Sequence, residues 1–291
     1  MSATRERLLL RATGSAVRSS SPLSGGVFGA VRRVRLADGA ELIGKFAPFE
    51  RLEEEAAGLE ALRATDTVRV PVVRSVTAGE AGETAAEGVL LMESLPVGGT
   101  PDWDRFGREL AALHRAPAGD RYGFDRDNHL GSTPQDNRWC GDWVRFNREQ
   151  RHGPLLDRLR RGGALEGADA RLVERALEAF EDVLPNRPRP GLIHGDLWSG
   201  NALPLLDGRV AVIDPAPSVG DGTADLAMMQ LFGGFPERCF EAYRTELGLD
   251  PDPRALAVHR LYHLLNHMVL FGAGYRPAAL ETCRVVLGSA D

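Results

Sequence analysis

The sequence predicts an α+β fold in two parts: a small antiparallel β-rich part over residues 1–95 with one helix, and a larger, mainly helical part over 96–291. Three observations predict it. Short apolar runs bounded by turn signals fill the first part. From Thr100-Pro101 onward, apolar residues recur at helical spacing. Within the second part, two strand-like runs, Leu192-Ile193 and Val210 to Ile213, each deliver a polar cluster at their end.

In chain order, Thr4 to Val17 reads as a weak leading helix closed by the polar break Ser19-Ser20-Ser21-Pro22. Leu23 to Gly29 is a glycine-rich turn, where Gly25 and Gly26 would let backbone N–H groups approach phosphates without a Cβ clash. A plain hairpin turn would use the same glycines, and no G-x-x-x-x-G-K-[ST] run occurs anywhere. Ala30 to Leu36 is a strand, Ala37-Asp38-Gly39-Ala40 a hairpin turn, and Glu41 to Ala47 the next strand. That strand carries Lys45, the sole lysine among 35 basic residues. A bias that turned nearly every tolerant basic position into arginine spared this one, through chance retention or through need. A compact ammonium on a strand is what phosphate oxygens need and a planar guanidinium does not replace.

Glu50 to Leu62 forms a helix with Leu52, Ala56, Leu59 and Leu62 on one side and acidic residues elsewhere. Val68 to Val76 and Gly88 to Met92 are two more strands, the first interrupted by Pro71 and so placed at an edge or entering the sheet late. Thr100 then serves as N-cap with Pro101 at the first position of a helix ending near Arg115. The turn-rich segment from Tyr122 to Arg151 carries Trp139 and Trp143. An aromatic face there would stack on a carbohydrate, or the pair, four apart, would be one helix face packed on the core. Two helices follow around Gly162-Gly163, and a C-terminal helix spans His259 to Phe271. Its His259, His263 and His267, at intervals of four, lack a companion Glu motif and read as core histidines, not metal ligands.

Composition excludes several classes. A net charge of -6 and a pI near 5.7 argue against a nucleic-acid binder. Cys140, Cys239 and Cys283 form no C-x-x-C pair, which suits a reducing compartment and not a zinc site. Leu8-Leu9-Leu10 runs straight into Arg11, so neither a signal peptide nor a membrane span is expected, and the protein is expected in the cytoplasm.

The chemistry sits in Leu192-Ile193-His194-Gly195-Asp196-Leu197-Trp198-Ser199-Gly200-Asn201 and in Val210-Ala211-Val212-Ile213-Asp214-Pro215. Asp196 and Asn201 are five apart, the interval at which kinase catalytic loops place the Asp that takes the hydroxyl proton and the Asn that holds a metal. Asp214 ends the next apolar run, where a second metal-holding Asp belongs. Turn chemistry would explain any one of these residues. The three together, in that order, point to phosphoryl transfer.

His194-Gly195-Asp196-Leu197-Trp198-Ser199-Gly200-Asn201 with Ile213-Asp214-Pro215-Ala216 resembles the signature of the fructosamine kinase (ketosamine kinase) family, relatives of the aminoglycoside phosphotransferases. The segments Gly131 to Trp139 and Asp142 to Arg151 resemble an insert of that family, and the resemblance spans about residues 20 to 290. It implies a two-lobed protein-kinase-like fold and a kinase that uses ATP and Mg²⁺. In this reading Asp196 is the catalytic base, and Asn201 and Asp214 hold the metal. Lys45, steadied by Glu55, binds phosphates under the Gly25-Gly26 turn, and Glu93 and Leu95 face adenine. Residues alone would not choose Glu55 over Glu53, Glu54 or Glu60. Asp225, ahead of Asp221, and His194 would be structural support. Trp198, Trp139, Trp143 and His267 are the candidate substrate contacts. The implied substrate is a ketosamine, on a free amine or a protein lysine, phosphorylated at its 3-hydroxyl and thereby made unstable. Val27 stands where several family members have cysteine, and Val219 to Thr223 departs from the family's more polar turn. A kinase of another hydroxylated amine, aminoglycoside- or choline-kinase-like, would keep the site and change the pocket. A pseudokinase would lack Lys, Asp or Asn, and none is missing. A protein kinase would need an Ala-Pro-Glu activation segment, for which Val219 to Thr223 leaves no room.

Overall fold

The computed structural model describes residues 2–23, 29–79, 87–248 and 250–288. Its elements run α1 (Ala3–Thr13), β1 (Val17–Pro22), β2 (Ala30–Leu36), β3 (Glu41–Pro48), α2 (Phe49–Ala64), β4 (Val73–Ala78), β5 (Glu87–Glu93) and α3 (Trp103–Arg115). Then come β6 (Asn128–Leu130), β7 (Thr133–Gln135), α4 (Trp143–Arg145), a π-helix (Phe146–His152), α5 (Gly153–Arg161), α6 (Gly167–Glu178) and α7 (Phe180–Val183). The remainder is β8 (Gly191–Ile193), a 3₁₀ turn (Ser199–Asn201), β9 (Ala202–Pro204), β10 (Val210–Val212), β11 (Ser218–Gly220), α8 (Thr223–Phe232), α9 (Glu237–Leu247), α10 (Pro253–Phe271), a second 3₁₀ turn (Ala273–Tyr275) and α11 (Arg276–Leu287). Among the described residues no helix is long and apolar enough to cross a membrane.

Contacts divide the chain into two units, residues 1–102 with 200–215, and residues 103–199 with 216–291. The first holds an antiparallel sheet in the order β1-β2-β3-β5-β4. Strand β2 shows the two-residue period, with Val34 and Leu36 buried and Arg33 and Arg35 exposed. Those apolar residues join Leu8, Leu9, Phe46, Val89 and Leu91 in one core cluster. The serines read as a polar break lie instead in β1, which pairs with β2 from Val17↔Leu36 to Pro22↔Arg32. As an edge strand β1 buries little, so its residues carry no apolar alternation, and Pro22 is tolerated at its end.

Residues 200–215 join the first unit because the β9–β10 hairpin is bonded to it through the backbone. Val212 N–H donates to Arg69 O, Leu206 N–H to Pro96 O, and Gly98 N–H to Pro204 O. Asp102 N–H donates to Gly208 O at 2.8 Å. That bond ties the chain down through Asp102, so α3 begins at Trp103 and not at the Thr100-Pro101 cap the sequence suggested.

In the second unit α10 packs against α5, α8 and α11. Asp252 caps its first turn by accepting from Arg254 N–H, with Pro253 at the first helical position. Its buried face, including Val258, Leu261 and Leu265, joins Trp143, Phe146 and Phe180 in the unit's core. The pair β8–β11, with Ile193↔Ser218 and Leu192↔Val219 in register, delivers the polar residues that follow Ile193.

Candidate active site

In the first unit, Lys45 lies in the middle of the sheet, paired across to Val31 on β2 and Leu90 on β5. Burial takes most of the side chain out of water, so its ammonium needs partners. Nζ lies 2.7 Å from Glu55 Oε2 on α2 and donates to Asp214 Oδ1 at 3.0 Å. Burial alone would pull the Lys45 pKa down, but the two carboxylates outweigh it and hold the value above the ordinary one. Burial, together with the Asp214 charge, pushes Glu55 up to about 7 against the pull of Lys45. Two carboxylates thus compete for one ammonium.

Asp214 follows β10 in a left-handed backbone, φ 53°, one of two described non-glycine residues with positive φ. This conformation costs of order 1 to 2 kcal/mol, least for Asp, Asn and Gly. The Ile213 N–H donates to Asn201 O at 3.0 Å, which brings Asn201 alongside the residue before Asp214. Asn201 and Asp214 together supply hard oxygen donors suited to Mg²⁺, and the Asp214 side chain keeps 38% of its exposure.

In the second unit, a tight turn follows β8. Gly195 has φ 81°, and a Cβ there would fall 2.0 Å from Ala216 O, so only glycine fits. Asp225 at the start of α8 closes this turn from within. Its Oδ2 accepts from His194 N–H at 2.7 Å and its Oδ1 from Gly195 N–H at 2.9 Å. His114 Nε2 lies 3.0 Å from the same carboxylate, and His114 Nδ1 lies 2.8 Å from the Tyr243 hydroxyl. Burial would raise the Asp225 pKa, yet the bond and charge of His114, with His194, hold it below the usual range. The next residues alternate: Asp196 half-buried, Leu197 fully buried as an anchor, Trp198 exposed. The turn therefore presents a carboxylate and an indole from a backbone fixed at four points, the two Asp225 bonds, Ala216 N–H to His194 O, and Asp196 N–H to His194 Nδ1.

A profile of the family described as fructosamine kinase matches residues 8–288. The chain belongs to the fructosamine kinase family. A Synechocystis protein designated a probable ketoamine kinase is 39% identical over 242 residues, 82% of this chain and 79% of that one. The protein-ribulosamine 3-kinase of Arabidopsis thaliana, chloroplastic, is 36% identical over 236 residues, 79% of this chain and 70% of that one. The solved structure of a Thermobifida fusca protein designated a fructosamine-3-kinase superposes with a TM-score of 0.85 at 35% identity, covering 97% of this chain and 98% of that one. An aminoglycoside phosphotransferase, crystallised with AMP-PNP and hygromycin B, shares the fold at 18% identity and a TM-score of 0.68, covering 99% of each chain. The protein thus has the protein-kinase-like α+β fold and is an ATP-dependent kinase of the fructosamine kinase family.

The other candidate residues of this kinase differ widely in exposure and partners. Gly25 and Gly26 fall outside the described residues. The Glu93 carboxylate is held by Arg69 at 2.5 Å and by Val72 N–H at 3.1 Å, so its side chain is spent on the sheet end, and its own N–H donates to Val72 O. Leu95 O accepts from Val97 N–H. Trp139 is exposed, with Arg121 5.5 Å over its ring. Trp143 is a core residue, stacked on Phe146 and tilted against Tyr122 and His259. Its burial takes the indole out of reach of an open surface. His267 is half-buried among Phe232, Phe271 and Tyr275, while His259 and His263 are buried, and no group of three or more metal-binding side chains occurs among the described residues.

Sequence reasoning missed His114 and Tyr243. A signal existed for the first: His114 is four residues after Leu110 on α3, and so on its apolar face, where an unpaired imidazole would be costly.

Proposed function

We propose that the protein phosphorylates the 3-hydroxyl of ketosamines, sugar adducts of a free amine or of a protein lysine, with ATP as donor. The substrate class is supported by relatives designated ketoamine and ribulosamine kinases. The observation that carries the reading is the pairing of Lys45 with both Glu55 and Asp214, together with the braced turn that presents Asp196.

In this reading Asp196 orients the acceptor hydroxyl and takes its proton as the oxygen attacks the γ-phosphorus, and the bond from that phosphorus to the β-bridging oxygen breaks. Lys45 receives the charge that builds on the departing ADP, and Glu55 keeps the ammonium from collapsing onto Asp214. Asn201 and Asp214 would hold Mg²⁺, which neutralises phosphate charge when bound. Asp225 and His194 hold the turn. Trp198, exposed two residues after Asp196, is the aromatic face best placed to stack on the sugar. Trp139 and His267 are the other candidate contacts, and Glu93 and Leu95 would address adenine through the backbone.

Turnover of Mg²⁺–ATP against fructose-, ribulose- and erythrulose-amine adducts, with kanamycin and choline beside them, tests this. Ketosamine turnover that Asp196→Asn abolishes is the expected result. Turnover only on kanamycin or choline would overturn the substrate, and silence on the whole panel would overturn the activity.

A further inference from the structure

Eight large hydrophobic side chains are exposed among the described residues, and three of them, Trp198, Phe232 and Phe271, come together in the second unit. Helices α8 and α10 pack on each other and end alike, on a phenylalanine followed by a glycine of positive φ: Phe232 before Gly233 at 68°, Phe271 before Gly272 at 89°. A glycine there stops the helix without strain and leaves the last side chain at its tip. Phe232 stays 40% exposed and Phe271 55%. One such ring in water is ordinary, but two joined by further rings make a patch.

His267 joins them. Its ring centroid lies 4.9 Å from that of Phe232, 5.4 Å from that of Phe271 and 5.0 Å from that of Tyr275 in the second 3₁₀ turn. Its Nδ1–H donates to His263 O at 2.7 Å, and burial lowers its pKa, so the ring is neutral and Nε2 is an acceptor. The surface is therefore aromatic, uncharged and able to take one N–H. It also runs into the catalytic turn. A Cβ on Gly234 would fall 2.4 Å from Ser199 Cβ, so the chain leaving Phe232 rests against the residue that follows Trp198.

The chemistry of a ketosamine says what reaches this surface. Its nitrogen sits on C1, two carbons from the carbon whose hydroxyl Asp196 addresses, so whatever the nitrogen carries leaves the site close to the turn. A compact amine would end beside Trp198. The rings continue from Phe232 through His267 to Tyr275, a reach that suits a chain extending beyond its lysine. Free lysine would bring a carboxylate and an ammonium, for which these rings offer no partner. In a polypeptide both become amides, and the neighbouring side chains can be aromatic.

We propose that Phe232, His267, Phe271 and Tyr275 form the docking face for the polypeptide that carries the glycated lysine, and that this face selects lysines with aromatic neighbours. The inference rests on the ketosamine reading. Exposed rings at these spacings accept a further ring edge-on or offset, which is how aromatic side chains anchor an interface.

Steady-state phosphorylation of fructose-lysine in two otherwise identical peptides, with phenylalanine or glycine on both sides of the lysine, tests it, with the free lysine adduct beside them. In the native protein kcat/KM for the phenylalanine peptide should exceed that for the glycine peptide by about five- to tenfold, carried by KM. In Phe271→Ser, and separately in Phe232→Ser, that ratio should collapse toward unity. Melting temperatures identify a variant that fails to fold, and the other then carries the test. Equal kcat/KM for the two peptides in the native protein, or a ratio that survives substitution, overturns the docking face and leaves the ketosamine reading standing. Turnover of none of the three adducts overturns both.

Discussion

Two aspartates of this chain are both held by cationic or N–H partners and yet are left in opposite conditions. Asp225 has both oxygens occupied, by two backbone N–H groups and an imidazole, and is 1% exposed. Asp214 shares a single ammonium with Glu55, keeps a partly exposed carboxylate and sits in a left-handed backbone. A carboxylate whose acceptor capacity is fully used inside the protein is a brace. One that is only partly satisfied, and held in a costly conformation near solvent, is available to a ligand.

The contrast should break first at Asp214. Asp214→Asn is expected to lower turnover by about 10³-fold while leaving the melting temperature within a few degrees. Asp225→Asn should do the reverse in emphasis. It puts an NH₂ against backbone donors in a buried site, costing about 3 to 5 kcal/mol, and the melting temperature should fall by about 10 °C. If the two variants behaved alike in a paired activity and melting measurement, the distinction would fail.

Acid should separate the units by sign. His152, His259 and His263, all in the second unit, have pKa values depressed by burial to about 4, about 4 and about 3. Below pH 6.5 the unfolded chain takes up protons that the folded chain refuses. The stability they contribute is therefore present above pH 6.5 and lost as pH falls toward 4, by about 3 kcal/mol per ring at most. Glu55 in the first unit is raised to about 7, so its contribution runs the other way and grows as pH falls from 7 toward 4.5. Hydrogen exchange resolved by segment between pH 7 and 4.5 should show the second unit opening first. Protection lost equally in both would contradict this.

A smaller effect should follow from Lys45→Arg, a change toward the residue this chain uses everywhere else. The planar fork does not fit between Glu55 and Asp214 in the space an ammonium fills, and kcat/KM for ATP should fall by about 10²-fold. The least is expected of Tyr243→Phe, which removes one hydrogen bond from His114 and should cost about 1 kcal/mol, a shift of a few degrees in melting.

How far the sequence disclosed this arrangement depended on how local each piece was. The order Asp196, Asn201, Asp214 lies within twenty residues, and β2, β3 and α2 carry their periods in consecutive positions, so they could be read directly. The brace could not, because Asp225 meets His114 across 111 residues and no local pattern links them. The same holds for the β9–β10 hairpin, whose membership in the first unit rests on backbone bonds to residues 69, 96, 98 and 102. Strand β1 escaped for the opposite reason: its pairing is local, but an edge strand that buries almost nothing leaves no apolar signature. Glu55 was one of four glutamates until its distance to Lys45 singled it out.

The left-handed turn at Asp214 also limits which amino acids that position can accept. Its backbone admits glycine freely, asparagine and aspartate at the least cost among the other residues, and resists nearly every remaining side chain. Its chemistry asks for an anionic oxygen short enough to meet Lys45 and a cation together. Glutamate brings the charge but neither the length nor the backbone tolerance, and glycine and asparagine bring the backbone tolerance without the charge. Aspartate is where the two short alphabets intersect, so drift at this codon has one tolerated spelling, set as firmly by a dihedral angle as by a charge.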